Sequence, residues 1–214
     1  MEEDISIINS NNRSEKVKNF IIKNKKKLIV FILTIVLLIF GYFAFKEYES
    51  SKKVKIAEKY NQASIKYFLG DEIKSKNELI EIINYKDSTY SPLALYFLID
   101  NQIDISKEET NQYFDVLIEK VKLDKEIRYL IIYKKGLFNA DFETENNLMT
   151  ILKPIINSDS IWKSHSLYLI GEYFIYKNQK QKAKEFFDQI IALEEPNIDI
   201  KLQTQKRLRQ DFSE

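Results

Sequence analysis

Residues 28–45 read LIVFILTIVLLIFGYFAF, and this stretch decides how the rest of the chain is arranged. It is 18 residues long and carries no charge. The hydroxyl of Thr34, its one strongly polar side chain, can donate to a carbonyl one turn earlier in a helix. At about 1.5 Å per residue a helix covers about 27 Å here, close to the ~30 Å hydrocarbon core of a bilayer. Since a helix satisfies its own backbone in lipid, the stretch predicts one transmembrane helix rather than a core helix of a soluble protein.

The flanking charges predict the orientation of this helix. Seven basic residues lie between positions 13 and 27, against the single acid Glu15, and fewer basic residues follow the apolar stretch closely. Because basic residues favour the cytoplasmic side, we expect residues 1–27 to form a basic, mostly disordered cytoplasmic tail and residues 46–214 to lie outside the cytoplasm. A cleaved signal peptide is the competing interpretation. Its apolar core is normally 7–15 residues, so we expect this longer stretch to remain as an anchor.

Composition limits the function classes. Lys and Arg number 33 and Asp and Glu number 32, so the formal charge of +1 gives no global reason to expect a nucleic-acid partner. The chain has no cysteine, and therefore neither disulfides nor thiolate metal sites. Only four glycines and three prolines occur, which disfavours an all-β fold with many tight turns.

After the apolar stretch the pattern is a series of short amphipathic segments, and no strand pattern competes with them. Gly70-Asp71 has the form of a helix C-cap, Ser91-Pro92 that of a helix start, and Ser106 to Glu109 that of a capping box. Pro154 is expected to kink or shorten its helix. The predicted fold is all-α, with about four helical hairpins and a C-terminal capping helix over 46–214. The predicted soluble segments are 54–69, 72–84, 91–101, 106–121, 125–138, 143–157, 160–176, 180–193 and 198–212.

The segment SHSLYLIGEYFIYKNQKQKAKEFFDQIIALEEP, which begins at Ser164, resembles a tetratricopeptide repeat. Small residues stand where two antiparallel helices must approach closely, and aromatic residues stand where the groove beside them must be filled. Ile190 departs from the pattern, which places an alanine there. A weaker echo runs from Ile56 to Asp87. The residues that carry the resemblance are Leu167, Ile170, Gly171, Phe174, Ala183 and Phe187.

The order of parts over about residues 14–214 resembles the YfgM-like family, whose members are ancillary subunits of the bacterial Sec translocon. A basic tail, one membrane span, a helix leading out of it, degenerate repeats and a polar last helix carry this resemblance. It implies a single-pass protein of the bacterial inner membrane with a periplasmic repeat domain. It also implies that the protein links export to periplasmic chaperones. The implied partners are translocon subunits, a membrane-anchored prolyl-isomerase-like chaperone and exported chains.

A candidate partner-binding face follows from the repeat register. In repeats of this kind the first helix of each pair lines the concave face. Tyrosine offers apolar area and a hydroxyl there at low entropic cost, although the same tyrosines could instead pack between helices. The candidate residues are Tyr60, Tyr67, Tyr129, Tyr133, His165, Tyr168, Glu172 and Ile175.

Enzyme motifs are absent from the sequence. His165 is the only histidine, so a zinc site would need an unusual set of three carboxylates. No two of the four glycines lie close in sequence, which excludes the glycine-rich phosphate-binding loops. We therefore predict a protein that is not an enzyme and has no metal, cofactor or small-molecule substrate, and that binds proteins and the lipid bilayer.

Two other functions stay open. One is a structural or adaptor role in cell-division or cell-wall complexes of the envelope, where repeat domains on single spans also serve. The other is an enzyme with an unrecognised carboxylate pair, which the lack of any motif disfavours.

Overall fold

A computed structural model describes residues 2–212 of the chain. Met1, Ser213 and Glu214, which fall within the expected tail and repeat domain, lie outside the described residues. The side chains of residues 2–14 and of Val17 lie outside them too, and they include Arg13 of the basic tail.

Within residues 2–212 the chain is all-α, as predicted, with nine helices and no strand. The second to ninth helices begin and end within three residues of the predicted bounds. The helices are α1 (Glu2–Phe68), α2 (Glu72–Asn84), α3 (Tyr90–Asp100), α4 (Lys107–Lys120), α5 (Lys125–Asn139), α6 (Glu145–Ile156), α7 (Lys163–Tyr176), α8 (Lys180–Ala192) and α9 (Ile198–Phe212).

The chain divides into two compact units, Met1–Lys55 and Ile56–Glu214. In the first unit α1 is already helical from Glu2, so the expectation of a mostly disordered tail was wrong for the described backbone. One helix among the described residues is long and apolar enough to cross a membrane, and none of its most apolar window is buried within the protein. The Thr34 hydroxyl donates to the carbonyl of Val30 at 2.9 Å, as expected for a hydroxyl in an apolar helix.

In the second unit each helix from α2 to α9 packs against its neighbours in that series. Lys59, near the end of α1, pairs with Glu81 of α2 at 3.2 Å. Some helices also pack on the next but one, including α5 on α7 and α7 on α9. Two clusters of buried side chains form the core, one over α1 to α5 and one over α5 to α9. Adjacent residues of α5 divide between them, with Ile131 in the first cluster and Ile132 in the second.

Local signals explain several helix ends. Gly70 has a φ of +86°, which glycine adopts without strain, and its amide donates to the carbonyl of Tyr67 at 2.9 Å. The predicted capping box at α4 is confirmed, because Ser106 and Glu109 bond reciprocally through side chain and backbone. Pro154 lies inside α6, which ends two residues later at Ile156.

The predicted N-cap of α3 was wrong, although the helix begins within one residue of the predicted start. Ser91 lies inside the helix, and its buried hydroxyl donates to the carbonyl of Ile82 at 2.7 Å. The carboxylate of Asp87 supplies the cap instead, because it accepts from the amides of Thr89 and Tyr90 at 2.9 and 2.8 Å. The hydroxyl of Ser91 therefore joins two helices rather than starting one.

Two glycines allow close helix packing at equivalent places. A methyl group added at Gly136 of α5 would overlap the side chain of Leu152 on α6. A methyl group added at Gly171 of α7 would overlap the ring of Phe187 on α8. The glycines are 35 residues apart, and so are their partners. The pair α5–α6 and the pair α7–α8 therefore pack in the same way, with a glycine of the first helix against a large side chain of the second.

Candidate protein-interaction surface

Tyr60 and Tyr67, the candidates on α1, are half-buried against α3. The ring centroid of Tyr60 lies 5.8 Å from that of Tyr90 and 6.2 Å from that of Phe97. Tyr67 meets Phe97 edge to face at 5.4 Å, and its hydroxyl donates to the carbonyl of Asn101 at 3.4 Å. Both rings therefore pack between helices and remain partly exposed.

Tyr133 and His165 meet in an aromatic group between α5 and α7. The ring of Tyr133 stacks on Trp162 at 5.8 Å, and His165 lies 5.1 Å from Trp162 and 5.8 Å from Tyr133. Burial raises the pKa of Tyr133 and lowers the pKa of His165, since both charged forms lose solvation. His165 is therefore neutral near pH 7, and its ring packs against those of Tyr133 and Trp162. Tyr129 lies one turn earlier on α5, with the Lys125 ammonium 5.6 Å from its ring centroid.

Glu172 is engaged within the chain. Arg207 of α9 donates to both of its carboxylate oxygens, and the bond from Nε to Oε1 is 2.7 Å long. The same guanidinium donates to Asp211 at 3.1 Å, and its hydrogen bonds to the Glu172 carboxylate raise the pKa of Arg207. Tyr168 lies beside this group, and burial followed by the nearby Glu172 charge raises its pKa. A partner that used Glu172 would have to compete with Arg207.

The candidate residues fall into two groups. Tyr60 and Tyr67 pack against the first buried cluster. Tyr129, Tyr133, Tyr168 and Ile175 pack against the second. All eight candidate side chains are partly buried, neither free on the surface nor sealed in the core.

Sequence reasoning missed an open groove between α3 and the start of α5. It has a volume of about 630 Å³ and walls that are mainly aliphatic. Leu93 and Ile127 remain 40% and 44% exposed in those walls, so the groove presents apolar surface to solvent. The lining residues are Ser88, Thr89, Pro92, Leu93, Tyr96, Lys122, Leu123, Asp124, Ile127, Leu130 and Ile131.

Polar and charged residues also line this groove. The hydroxyl of Tyr96 is buried and has no hydrogen-bond partner among residues 2–212. Burial and the nearby Asp100 raise the pKa of Tyr96 to about 12. Lys122 and Asp124 line the groove too, and neither forms an ion pair with a described residue. The groove thus combines aliphatic walls with two unpaired charges and with a tyrosine whose hydroxyl is sealed from solvent. Leu93 and Ile127, aliphatic residues near the starts of α3 and α5, were the one sequence signal for it.

A second, smaller hollow lies between the start of α7 and the end of α8. Its volume is about 480 Å³, and Asp159, Glu194 and Glu195 are among its lining residues. Within the described residues no group of three or more His, Cys, Asp or Glu side chains is placed to hold a metal ion.

Comparisons of the chain with protein-family models, curated proteins and solved structures find no match. None of them identifies a YfgM-like family. The fold and the groove are therefore interpreted from the residues themselves.

Proposed function

We propose that this protein is a membrane-anchored scaffold whose tetratricopeptide-like helical repeats bind other proteins. The observation that carries the proposal is the equal spacing of two close helix contacts, Gly136 with Leu152 and Gly171 with Phe187. A repeat buries its apolar face on its neighbours and keeps a continuous outer surface for partners. The charge bias of the flanks supports an anchor with its N-terminus in the cytoplasm and the helical unit outside it.

The groove between α3 and α5 is the binding surface that we favour. Its apolar walls suit an aliphatic side chain of a protein partner. Lys122 and Asp124 can pair with charged residues that flank this aliphatic side chain in the partner. The half-buried candidate tyrosines of α1 and α5 are not among the residues that line this groove, and any contact through them would be separate.

The resemblance to the YfgM-like family supports a position beside the Sec translocon of the bacterial inner membrane. In that role the helical unit contacts emerging chains or a membrane-anchored periplasmic chaperone. The anchor at 28–45 is the element that would contact translocon helices.

Photo-crosslinking in intact membranes tests the proposal. One photoreactive residue replaces Ile127 in the groove wall, and a second replaces Thr34 in the anchor. A third, at Leu202 of α9, is the matched control, because Leu202 is 57% exposed and lies outside the groove lining. We expect adducts to translocon subunits or a periplasmic chaperone from Ile127 and Thr34, but not from Leu202.

Other outcomes would contradict parts of the proposal. Equal adducts from Ile127 and Leu202 would remove the groove as the binding surface. If Ile127 gave adducts only to cytoplasmic proteins, the helical unit would lie in the cytoplasm, and the proposed orientation would be wrong. Adducts only to division or wall-synthesis proteins would favour the structural role in the envelope.

A further inference from the structure

Four lysines surround α1 immediately before its apolar stretch. Lys23, Lys25, Lys26 and Lys27, here called the basic collar, are all exposed and lie within a continuous helix. Leu28, the first residue of the apolar stretch, follows directly. In a membrane-anchored chain this position is the level of the lipid headgroups.

No acidic residue lies near the collar in the sequence. Glu15 is the nearest acid upstream and Glu47 the nearest downstream. Among the described residues none of the four lysines forms an ion pair. Lys23 stands three and four positions before Lys26 and Lys27, a spacing at which like charges on a helix repel. External anions would relieve that repulsion.

The direction of the lysines selects the kind of anion. Consecutive residues on a helix point about 100° apart, so Lys25, Lys26 and Lys27 point to three different sides. A protein partner docked on one face would meet only part of this charge, whereas a layer of phosphates around the helix would meet all of it. Asn24, inside the collar, donates its side-chain amide to the carbonyl of Phe20 at 3.0 Å, so that group serves the helix.

We propose that the basic collar binds the phosphate groups of anionic phospholipids in the leaflet that surrounds it, so that the anchor recruits such lipids from a mixed membrane. The inference rests on the proposed membrane anchor and adds the lipid class that the anchor prefers. Attraction between juxtamembrane lysines and anionic headgroups is electrostatic and therefore falls as salt rises.

Spin-labelled lipids in vesicles containing the full chain test this proposal. The vesicles are phosphatidylcholine with a trace of spin-labelled phosphatidylglycerol or of spin-labelled phosphatidylcholine. Electron spin resonance measures the immobilised fraction of each label. Because both leaflets have the same composition, the result does not depend on the orientation of the inserted chain. We expect the wild type to prefer phosphatidylglycerol at least about twofold at low salt, and less at high salt.

Two matched variants separate the collar from net charge. The first carries Lys23→Gln, Lys25→Gln, Lys26→Gln and Lys27→Gln, and we expect it to lose the preference. The second carries Lys46→Gln, Lys52→Gln, Lys53→Gln and Lys55→Gln, which removes the same charge after the apolar stretch, and we expect it to keep most of the preference. An equal preference in all three proteins, equal losses in both variants, or no preference in the wild type would overturn the proposal.

A prior measurement distinguishes failure of the anchor from failure of the collar. Flotation with the vesicles and resistance to alkaline extraction report whether the chain is integrated. A chain that is extracted overturns the anchor and the collar together. A chain that stays integrated but shows no lipid preference overturns the collar alone.

Discussion

Arg207 of α9 holds both carboxylate oxygens of Glu172 on α7, and the two residues are 35 positions apart. This is also the number of positions between Gly136 and Gly171, the two glycines at close helix contacts. The last helix is therefore held by this ion pair as well as by apolar contacts, such as that of Phe212 with Phe187 at 6.3 Å between ring centroids. Glu172, a candidate for partner contact, is engaged by Arg207 within the chain.

The Glu172–Arg207 pair is predicted to stabilise α9. Both side chains are about one-third exposed, so we expect a coupling of about 1 kcal/mol despite the bidentate geometry. The measurement is a double-mutant cycle of Glu172→Gln and Arg207→Gln in a fragment of residues 50–214, by urea unfolding. We expect this fragment to be helical and to unfold cooperatively. Single-variant effects that simply add in the double variant would show that the pair contributes nothing.

Gly171→Ala is predicted to destabilise the second unit. The gain in helix propensity is about 1 kcal/mol, but the new methyl group would overlap the ring of Phe187, which is fully buried. Overpacking of this kind costs about 1–3 kcal/mol, so we expect the urea midpoint to fall. Phe187→Leu in the same chain makes room for the methyl group. The double variant should therefore be more stable than the two single effects predict, and simple additivity would contradict the contact.

The capping box of α4 gives a pH-dependent contribution to stability. Hydrogen bonds from Ser106 lower the pKa of Glu109, the backbone bond contributing more than the side-chain bond. A lowered folded pKa means that the stability is fully present above the unfolded value of about 4.3 and is lost as the pH falls through the folded value. We expect the stability difference between wild type and Glu109→Gln to shrink over that range. Glu108→Gln removes the same charge without these bonds and should retain the pH dependence.

Tyr96 is predicted to limit stability at alkaline pH. Its folded pKa of about 12 lies above the unfolded value of about 10. Its contribution is therefore fully present below pH 10 and is lost as the pH rises towards 12. We expect Tyr96→Phe to lose less stability than the wild type over this interval. In a titration followed by absorbance at 295 nm, the variant should lack the tyrosine that ionises near pH 12. Tyr176→Phe, at a residue 72% exposed, is the control that should retain that titration.

Binding through the groove is predicted to depend on its apolar wall. Ile127→Asp places a charge in a surface that would contact an aliphatic side chain, and we expect recovery of crosslinked partners to fall at least tenfold. Because Ile127 is 44% exposed, the helical content of the fragment should change little. Leu202→Asp on α9 is the matched control. Equal recovery from Ile127→Asp and wild type would move the binding surface elsewhere.

Local signals predicted most of the fold, and contacts distant in sequence account for what they missed. Gly70 and the Ser106 capping box act within four residues, so they could be identified directly. Ser91 could not, because its hydroxyl bonds to a carbonyl nine residues earlier on another helix. The engagement of Glu172 and the groove beside Ile127 both depend on how separate helices approach one another. No periodicity within one segment encodes that approach.

The division of Ile131 and Ile132 between two buried clusters has a mechanical consequence. A single helix, α5, contributes to both clusters. If the first cluster unfolded, one face of α5 would be exposed to solvent while its other face stayed packed in the second cluster. A pull entering the second unit through α1 would reach the hairpins α1 to α4 first. We expect such a pull to produce two rupture steps, with α5 to α9 surviving the first. A chain tethered to a membrane would then yield under load in stages, and the last two hairpins would remain folded longest.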